Sequence, residues 1–370
     1  DVYKRQESWM SKEMLGYDEE DIRFGEGQSY LQPTLAYNFM LQPLLRFPIK
    51  GVIWYQGESN MGNRETALSY TSQFKKLISS WRKLWGLGDI PFLWVQIPNT
   101  GSEASENAPA TWDALPMLRE SQSRALSLPN TGEVVSIDTG EPDIHPTNKE
   151  PVGQRLSLVA RSVAYGDSLV FSGPRYKSFR KLEDGKIEIS FDHAESGLVA
   201  LETGDLSLRW FSMAGSNGSY YRANAVVDSN RVVVWNPGIP NPEYIRYAYE
   251  NNPFNVNFYN AEGLPASPFK QRVNHPGLHI QFFLSDDYAL DKGESALLTW
   301  QVYGSDQVGL NQLEVDSLGG LRVWPDSDST FTLSAESREH PGVKDSATVR
   351  IYVQEPDPTI SPVSYTHLRA

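Results

Sequence analysis

The sequence predicts an α/β fold built on a parallel sheet, followed by all-β domains. Three observations carry this. Between residues 34 and 165, short and continuously apolar runs alternate with stretches of helical spacing, the pattern of strands covered by helices on both faces. From about residue 166 the texture changes to short segments separated by Gly, Asn and Asp, which reads as an all-β domain. A second change near residue 275 opens a run of strands spaced like a small seven-strand sandwich.

The elements follow in order. "TLAYNFMLQPLLRF" has helical spacing with Thr34 as its N-cap. "IKGVIWYQ" is the first buried strand. "NRETALSYTSQFKKLISSWRKLWG" is an amphipathic helix with Leu68, Phe74, Leu77, Ile78, Trp81 and Leu84 near one stripe and Gly86 as its stop. "PFLWVQI" and "GEVVSID" are the second and third strands, with the helix "TWDALPMLRESQSRALSL" between them. "KEPVGQRLSLVARSVAYG" closes the unit as a helix. The expected division is an α/β unit over 7–165, a β-rich domain over 166–274 and a sandwich over 275–356. The end segments 1–6 ("DVYKRQ") and 357–370, which contains "SPVSYTHLRA", resemble translated adapter read-through from metagenomic assembly and are set aside.

Composition narrows the partners. A formal net charge of −13 argues against nucleic acid or an anionic membrane surface. No apolar run approaches the roughly 18 residues that span a bilayer, so membrane insertion is not expected. Without cysteine there is neither a disulfide framework nor a thiolate metal site.

In a parallel sheet the ligand sits beyond the carboxyl ends of the strands. "QGESN" leaves the first strand and "TGEPDIHP" leaves the third, so both loops open on one rim. His145 is the candidate general base there. Asp143 is two residues away, on the same side of an extended segment, and is the first candidate to orient the ring. Glu141 and Asp138 are reserves. Those carboxylates with His145 could instead ligate a metal, but no recognised ligand spacing is present, so no metal and no cofactor are expected.

Ser59 has two readings. "Strand, G-E-S-N-M, helix" approaches the G-x-S-x-G nucleophile elbow, yet Met61 stands where the second glycine is required. The plainer reading is that Ser59 caps the following helix. Ser29, in "GEGQSYL", follows no apolar strand and reads as a loop residue. Trp54, Tyr55, Trp81 and Trp85 read as core rather than as sugar platforms.

Several blocks together resemble one family. "KGVIWYQGESN", "IDTGEPDIHPTNKEPVGQRL" and "YNAEGLPASPF", with "LAYNFMLQPLL", "WRKLWGLGDIPFLWVQI" and "LRESQSRALSLPNTG" in the same order, are similar to sialate O-acetylesterases, SGNH-type hydrolases. The last third looks like a bacterial Ig-like module. The resemblance implies a Ser/His acyl-enzyme mechanism that removes acetyl groups from sugar hydroxyls, with His145 as base. It implies an oxyanion- or substrate-holding role for Gln56, Gly57, Glu58 and Asn60, and it places Ser59 in that supporting loop. The family carries its serine in an early "GQSNM" block that this sequence does not contain; the chain is expected to be a truncated piece and nearly inactive. The superfamily usually sets its Asp three residues before the His. Here that place is Pro142, which leaves Asp143, Glu141 or a backbone carbonyl to orient the ring.

The implied partner is O-acetylated sialic acid or another acetylated glycan, and the implied location is the periplasm or cell surface. A sialic acid carboxylate calls for an arginine or a helix N-terminus, and Arg64, Arg119 and Arg155 are the candidate arginines. A catalytically silent glycan-binding protein and an acetyl xylan esterase are the alternatives.

Overall fold

The computed structural model describes residues 6–12, 34–104, 114–202, 204–273, 278–285, 287–305, 307–337 and 342–354. Ser29 and its loop, the first five residues and the C-terminal tail lie outside the described residues. The α/β part is a three-stranded parallel sheet in the order β1 (Val52–Trp54), β2 (Phe92–Val95), β3 (Thr131–Val134), with Val52, Phe92 and Thr131 in register. β2 is covered on both faces, but β1, expected to be buried on both, lies at the sheet's edge with Ile53 63% exposed and only Trp54 fully in the core. Phe92 and Trp94 point into one cluster and Leu93 and Val95 into another, as the two-residue period of a strand requires.

Helix α1 (Arg64–Trp85) covers the first face. Asn63 caps it, the side chain accepting from Thr66 N–H at 2.9 Å, and Gly86 ends it at a left-handed φ of 63°. Leu68, Phe74, Leu77, Ile78 and Trp81 are buried with Trp54, while Leu84 packs at the margin. Asn63, not Ser59, is therefore the cap. Helix α2 (Ala114–Ser123) joins this face, and α3 (Glu150–Tyr165) covers the other, where Val152 and Val159 meet Leu93 and Val134. A Cβ on Gly132 would come within 2.3 Å of Val159, so α3 can lie on β3 only over a glycine.

The segment after Thr34 departs from the expected regular helix. Thr34 itself has φ 65°. Tyr37–Leu41 forms a π turn and Gln42–Leu44 a 3₁₀ turn. Pro43 has no N–H for an α-helical ladder, and the strip keeps only Tyr37 and Leu41 in the core.

The β-rich part holds two four-stranded sheets and a two-stranded pair, more strands than the sequence pattern shows. Several of them, such as Leu198–Ala200 and Phe258–Asn260, span three residues, too few to display alternation. Val135 and Ile137, just past β3, are buried in its core, so the β-rich part grows directly out of the rim of the parallel sheet.

The last part has a three-stranded sheet in the order β4 (His279–Ser285), β5 (Ala296–Tyr303), β6 (Leu318–Val323), facing a five-stranded one. That is one strand more than expected. Its inner face buries Phe283, Leu298, Trp300, Leu333 and Ile351. Its other face docks on α1. Leu318 is 1% exposed inside the α1 cluster, Ser72 Oγ donates to Gly320 O at 3.2 Å, and Lys75 pairs with Asp316. A Cβ on Gly320 would sit 3.6 Å from Ser69 Cα, so the helix approaches to backbone distance. Among the described residues no helix is long and apolar enough to cross a membrane.

Because Leu318 belongs to both units, Leu318→Ala is predicted to lower stability by about 2–5 kcal/mol, read as the urea midpoint. An unchanged midpoint would mean that the sandwich contributes nothing to the α/β core.

Candidate active site

Three loops meet beyond the carboxyl ends of β1, β2 and β3. They surround a cavity of about 800 Å³ lined by Met61–Arg64 from the first loop, Thr100 and Gly101 from the second and Pro142 and Ile144 from the third. Leu115 and Met117 of α2 form an apolar wall, and Asn251 closes the cavity from the β-rich part. The volume suits a small ligand such as a sugar. Residues just after "QGESN" and residues within "EPDIHP" thus face one cavity, while Gln56–Asn60 and His145 are not among its described lining residues.

The third loop carries the imidazole. Asp143 Oδ1 accepts from the His145 main-chain N–H at 2.8 Å and lies 2.9 Å from its Nδ1. These hydrogen bonds, the main-chain one first, hold the Asp143 carboxyl below the ordinary value. An Nδ1–H that donates to the carboxylate leaves the basic lone pair on Nε2. The reserve orienters are engaged elsewhere. Asp138 takes both guanidinium nitrogens of Arg155 at 2.6 Å and the Tyr259 hydroxyl at 3.1 Å. Glu141 Oε1 accepts from Thr147 N–H at 2.8 Å and its hydroxyl at 2.7 Å. The Pro142 carbonyl accepts from Thr100 Oγ1 at 3.2 Å and Gly101 N–H at 3.1 Å. Asp138 and Glu141 are therefore engaged apart from the Asp143–His145 pair, and among the described residues no three His, Asp or Glu side chains are grouped to hold a metal.

The first loop carries a directed chain of hydrogen bonds. The Trp54 indole can only donate, and it lies 3.3 Å from the Tyr70 hydroxyl. That hydroxyl gives its own proton to Gln56, whose O and Oε1 lie 3.1 and 3.2 Å away. Gln56 Nε2 then donates to Asn60 Oδ1 at 3.0 Å. Asn60 is 2% exposed and its Nδ2 has no partner among the described residues. Gln56 thus braces Asn60 through its Oδ1 and leaves the Nδ2 donor over. Gly57 permits the turn: a Cβ would meet Ile97 Cγ1 at 2.7 Å.

Ser59 lies in a 3₁₀ turn, Glu58–Asn60, and it is not among the residues of positive φ. Residues 60–63 separate it from α1. No strand–serine–helix elbow is formed, so the strained presentation that exposes such a nucleophile is missing.

Sequence reasoning missed two contributors. Thr100 stands at the end of β2, where strand position alone could have flagged it. Asn251 comes from another domain and gives no local signal. It is held by Arg119, which is fully buried and donates to Ile97 O, Pro98 O, Glu250 O and Asn251 O at 2.7–2.9 Å. Arg119 and Arg155 are thereby committed to structure, and Arg64 is the arginine on the cavity wall.

The parallel sheet with helices on both faces, its loops gathered beyond the carboxyl ends of the strands, is an α/β unit of the kind that hydrolases use. Residues 27–158 match the family described as carbohydrate esterase, sialic acid-specific acetylesterase. The chain is 28% identical over 270 residues to the sialate O-acetylesterase of Mus musculus, covering 66% of this chain and 48% of that protein. It is 36% identical over 160 residues to that of Homo sapiens, covering 38% and 29%. A solved carbohydrate acetylesterase from Xanthomonas citri superposes with a TM-score of 0.63 and 40% identity, over 72% of this chain and 58% of that one. The likeness to carbohydrate esterases thus centres on the α/β part, where residues 27–158 match the family model. It spans about half the length of the Mus musculus relative, at 48%.

Glu58 gives a pH test. Burial holds its pKa above the ordinary 4.5, against the opposing hydrogen bond from Gly57 N–H. A carboxyl that binds its proton more tightly when folded contributes stability that is present below the unfolded pKa and is lost as pH rises through the raised value. Glu58→Gln keeps an acceptor for Gly57 and removes the ionisation. The urea midpoint at about pH 8, taken relative to that at about pH 4, should therefore be higher in the variant than in the parent; an unchanged or lower value would contradict the burial of this charge.

Proposed function

We propose that this chain supplies the base, its orienting carboxylate and an oxyanion donor of a carbohydrate O-acetylesterase acting on O-acetylated sialic acids or related acetylated glycans. The observation that carries the reading is the His145–Asp143 contact at 2.9 Å, in the loop whose Pro142 and Ile144 line the same cavity as Met61–Arg64, the residues that follow Asn60. A serine hydroxyl attacks the acetyl carbonyl while His145 Nε2 takes its proton. Asn60 Nδ2 donates to the oxygen that becomes negative, an effect worth about 3–4 kcal/mol. The imidazolium then protonates the departing sugar oxygen, and water activated by the same ring releases acetate from the acyl-serine. No step calls on a metal or an organic cofactor.

The attacking hydroxyl, in this reading, belongs to a "GQSNM"-type block outside these 370 residues, and Ser59 only shapes the loop. The test is acetate release from O-acetylated sialic acid by the chain co-expressed with a segment bearing that block. Complementation should yield activity that falls on the order of 10⁴-fold in His145→Ala and about 10²–10³-fold in Asn60→Ala, while Ser59→Ala keeps most of it. Robust turnover by the chain alone that vanishes in Ser59→Ala would overturn the assignment, as would turnover indifferent to His145.

A further inference from the structure

In the β-rich part the strands Phe269–Arg272, Tyr244–Tyr247, Phe211–Ala214 and Tyr220–Arg222 lie side by side in that order. Their register sets Lys270 opposite Arg246, Arg246 opposite Ser212 and Ser212 opposite Arg222. Ile245, Tyr247, Phe211 and Met213 point into the core of that part, so the row Lys270–Arg246–Ser212–Arg222 occupies the other face of the sheet. Three of its four side chains are basic. Directly opposed side chains start about 5 Å apart, where like charges repel. Water does not relieve the repulsion, since Arg246 is 1% exposed and Lys270 2%.

The neighbouring carboxylates answer only part of this charge. Glu250 Oε1 accepts from Arg222 at 2.9 Å and stays 3.8 Å from Arg246, too far for a hydrogen bond. Glu120 acts on Lys270 but gives its oxygens to Arg124 at 2.8 Å and to the Tyr249 hydroxyl at 2.7 Å. Lys270 donates to Gln301 Oε1 at 3.2 Å. Burial pulls its pKa down to about 7; Glu120 opposes the fall, and Arg246, Arg64 and Arg124 add to it. The guanidinium carbon of Arg246 lies 3.8 Å from the centre of the Tyr220 ring, a contact with a ring that satisfies no N–H. All three of its nitrogens, Nε, Nη1 and Nη2, are buried without a hydrogen-bond partner. Buried donors call for an acceptor, and charged donors bind a charged acceptor most strongly.

We infer that Arg246, with Lys270 beside it, forms a buried site for a small monovalent anion of halide size, chloride in ordinary media. A side chain only 1% exposed is reached by an ion and not by a molecule the size of a sugar, and Glu120 and Glu250 repel a second negative charge. The rings of Tyr220 and Tyr249, 3.8 and 5.7 Å from the guanidinium carbon, give the ion dry walls. The site does not depend on the esterase reading, yet it stands behind the cavity. Arg119 holds the main-chain oxygens of Glu250 and Asn251, and Asn251 lines the cavity.

The test uses the chain as it is. Crystals grown in sodium bromide and measured at the bromine absorption edge should show an anomalous peak within hydrogen-bonding reach of the Arg246 guanidinium. In solution the thermal midpoint should rise by about 2 °C for each tenfold increase of chloride above its dissociation constant. Sodium gluconate at the same ionic strength, with an anion too large for the site, should give no such rise. Arg246→Met keeps the stem, removes the donors and should respond alike to the two salts. A missing bromide peak at Arg246, equal parent midpoints in the two salts, or a chloride response that survives Arg246→Met overturns the inference. Should Arg246→Met fail to fold, the peak and the parent's response to the two salts decide.

Discussion

One buried cation holds the site together. Arg119 comes from α2 and spends its guanidinium on four carbonyls, two at the exit of β2 and two in the β-rich part. Burial pulls its pKa down to about 9, still above neutrality, so the group is charged and no carboxylate is needed beside it. Removing it would strand four buried acceptors, each costing about 1–3 kcal/mol. The cavity wall therefore depends on a domain whose chain is more than a hundred residues away. Neighbouring bonds follow the same plan: Asn99 Nδ2 donates to Asn252 Oδ1 at 2.7 Å, while Gly140 N–H donates to Asn99 Oδ1 at 2.8 Å. Gly140 must be glycine, since a Cβ would fall 1.8 Å from Asn99 O.

On that frame the two functional loops are stiffened differently. The first is braced from within the core, where the indole of Trp54 sets the direction of every bond out to Asn60. The third lies at the surface, with the Asp143 and His145 side chains 71% and 46% exposed, and is tied down through the Pro142 carbonyl. In the proposed reading this suits an oxyanion donor, which gains from being fixed before reaction, and a base, which needs access to nucleophile and leaving group in turn.

Much of this was legible in the sequence because it is local. Helix α1 was marked by its stripe and its glycine stop, and the sheet by apolar runs too continuous for a one-sided strand. His145 and Asp143 stood out as neighbours two residues apart, but the segment bends instead of running extended, and the Asp143 carboxylate meets the ring while also accepting from the His145 main-chain N–H. The bonds that engage Asp138 and Glu141 were not legible, since Arg155 and Thr147 carry no signal of their pairing. Thr34 misled because a capping residue before a periodic stretch says nothing of the proline within it. The docking of the sandwich on α1 was hidden in "LGG", where Leu318 reads as an ordinary strand residue and the glycines as a turn. Arg64, Arg119 and Arg155 were indistinguishable until burial separated one that binds main chain, one that binds Asp138 and one that faces the cavity.

The most direct measurement is hydrogen exchange of the main-chain amides at residues 97–101 and 249–252 in the parent and in Arg119→Lys. An ammonium cannot span four carbonyls. Protection should therefore fall in both segments together, with the sheet amides of β2 unaffected. Loss confined to one segment, or to neither, would contradict the claim that a single guanidinium joins the two halves of the site.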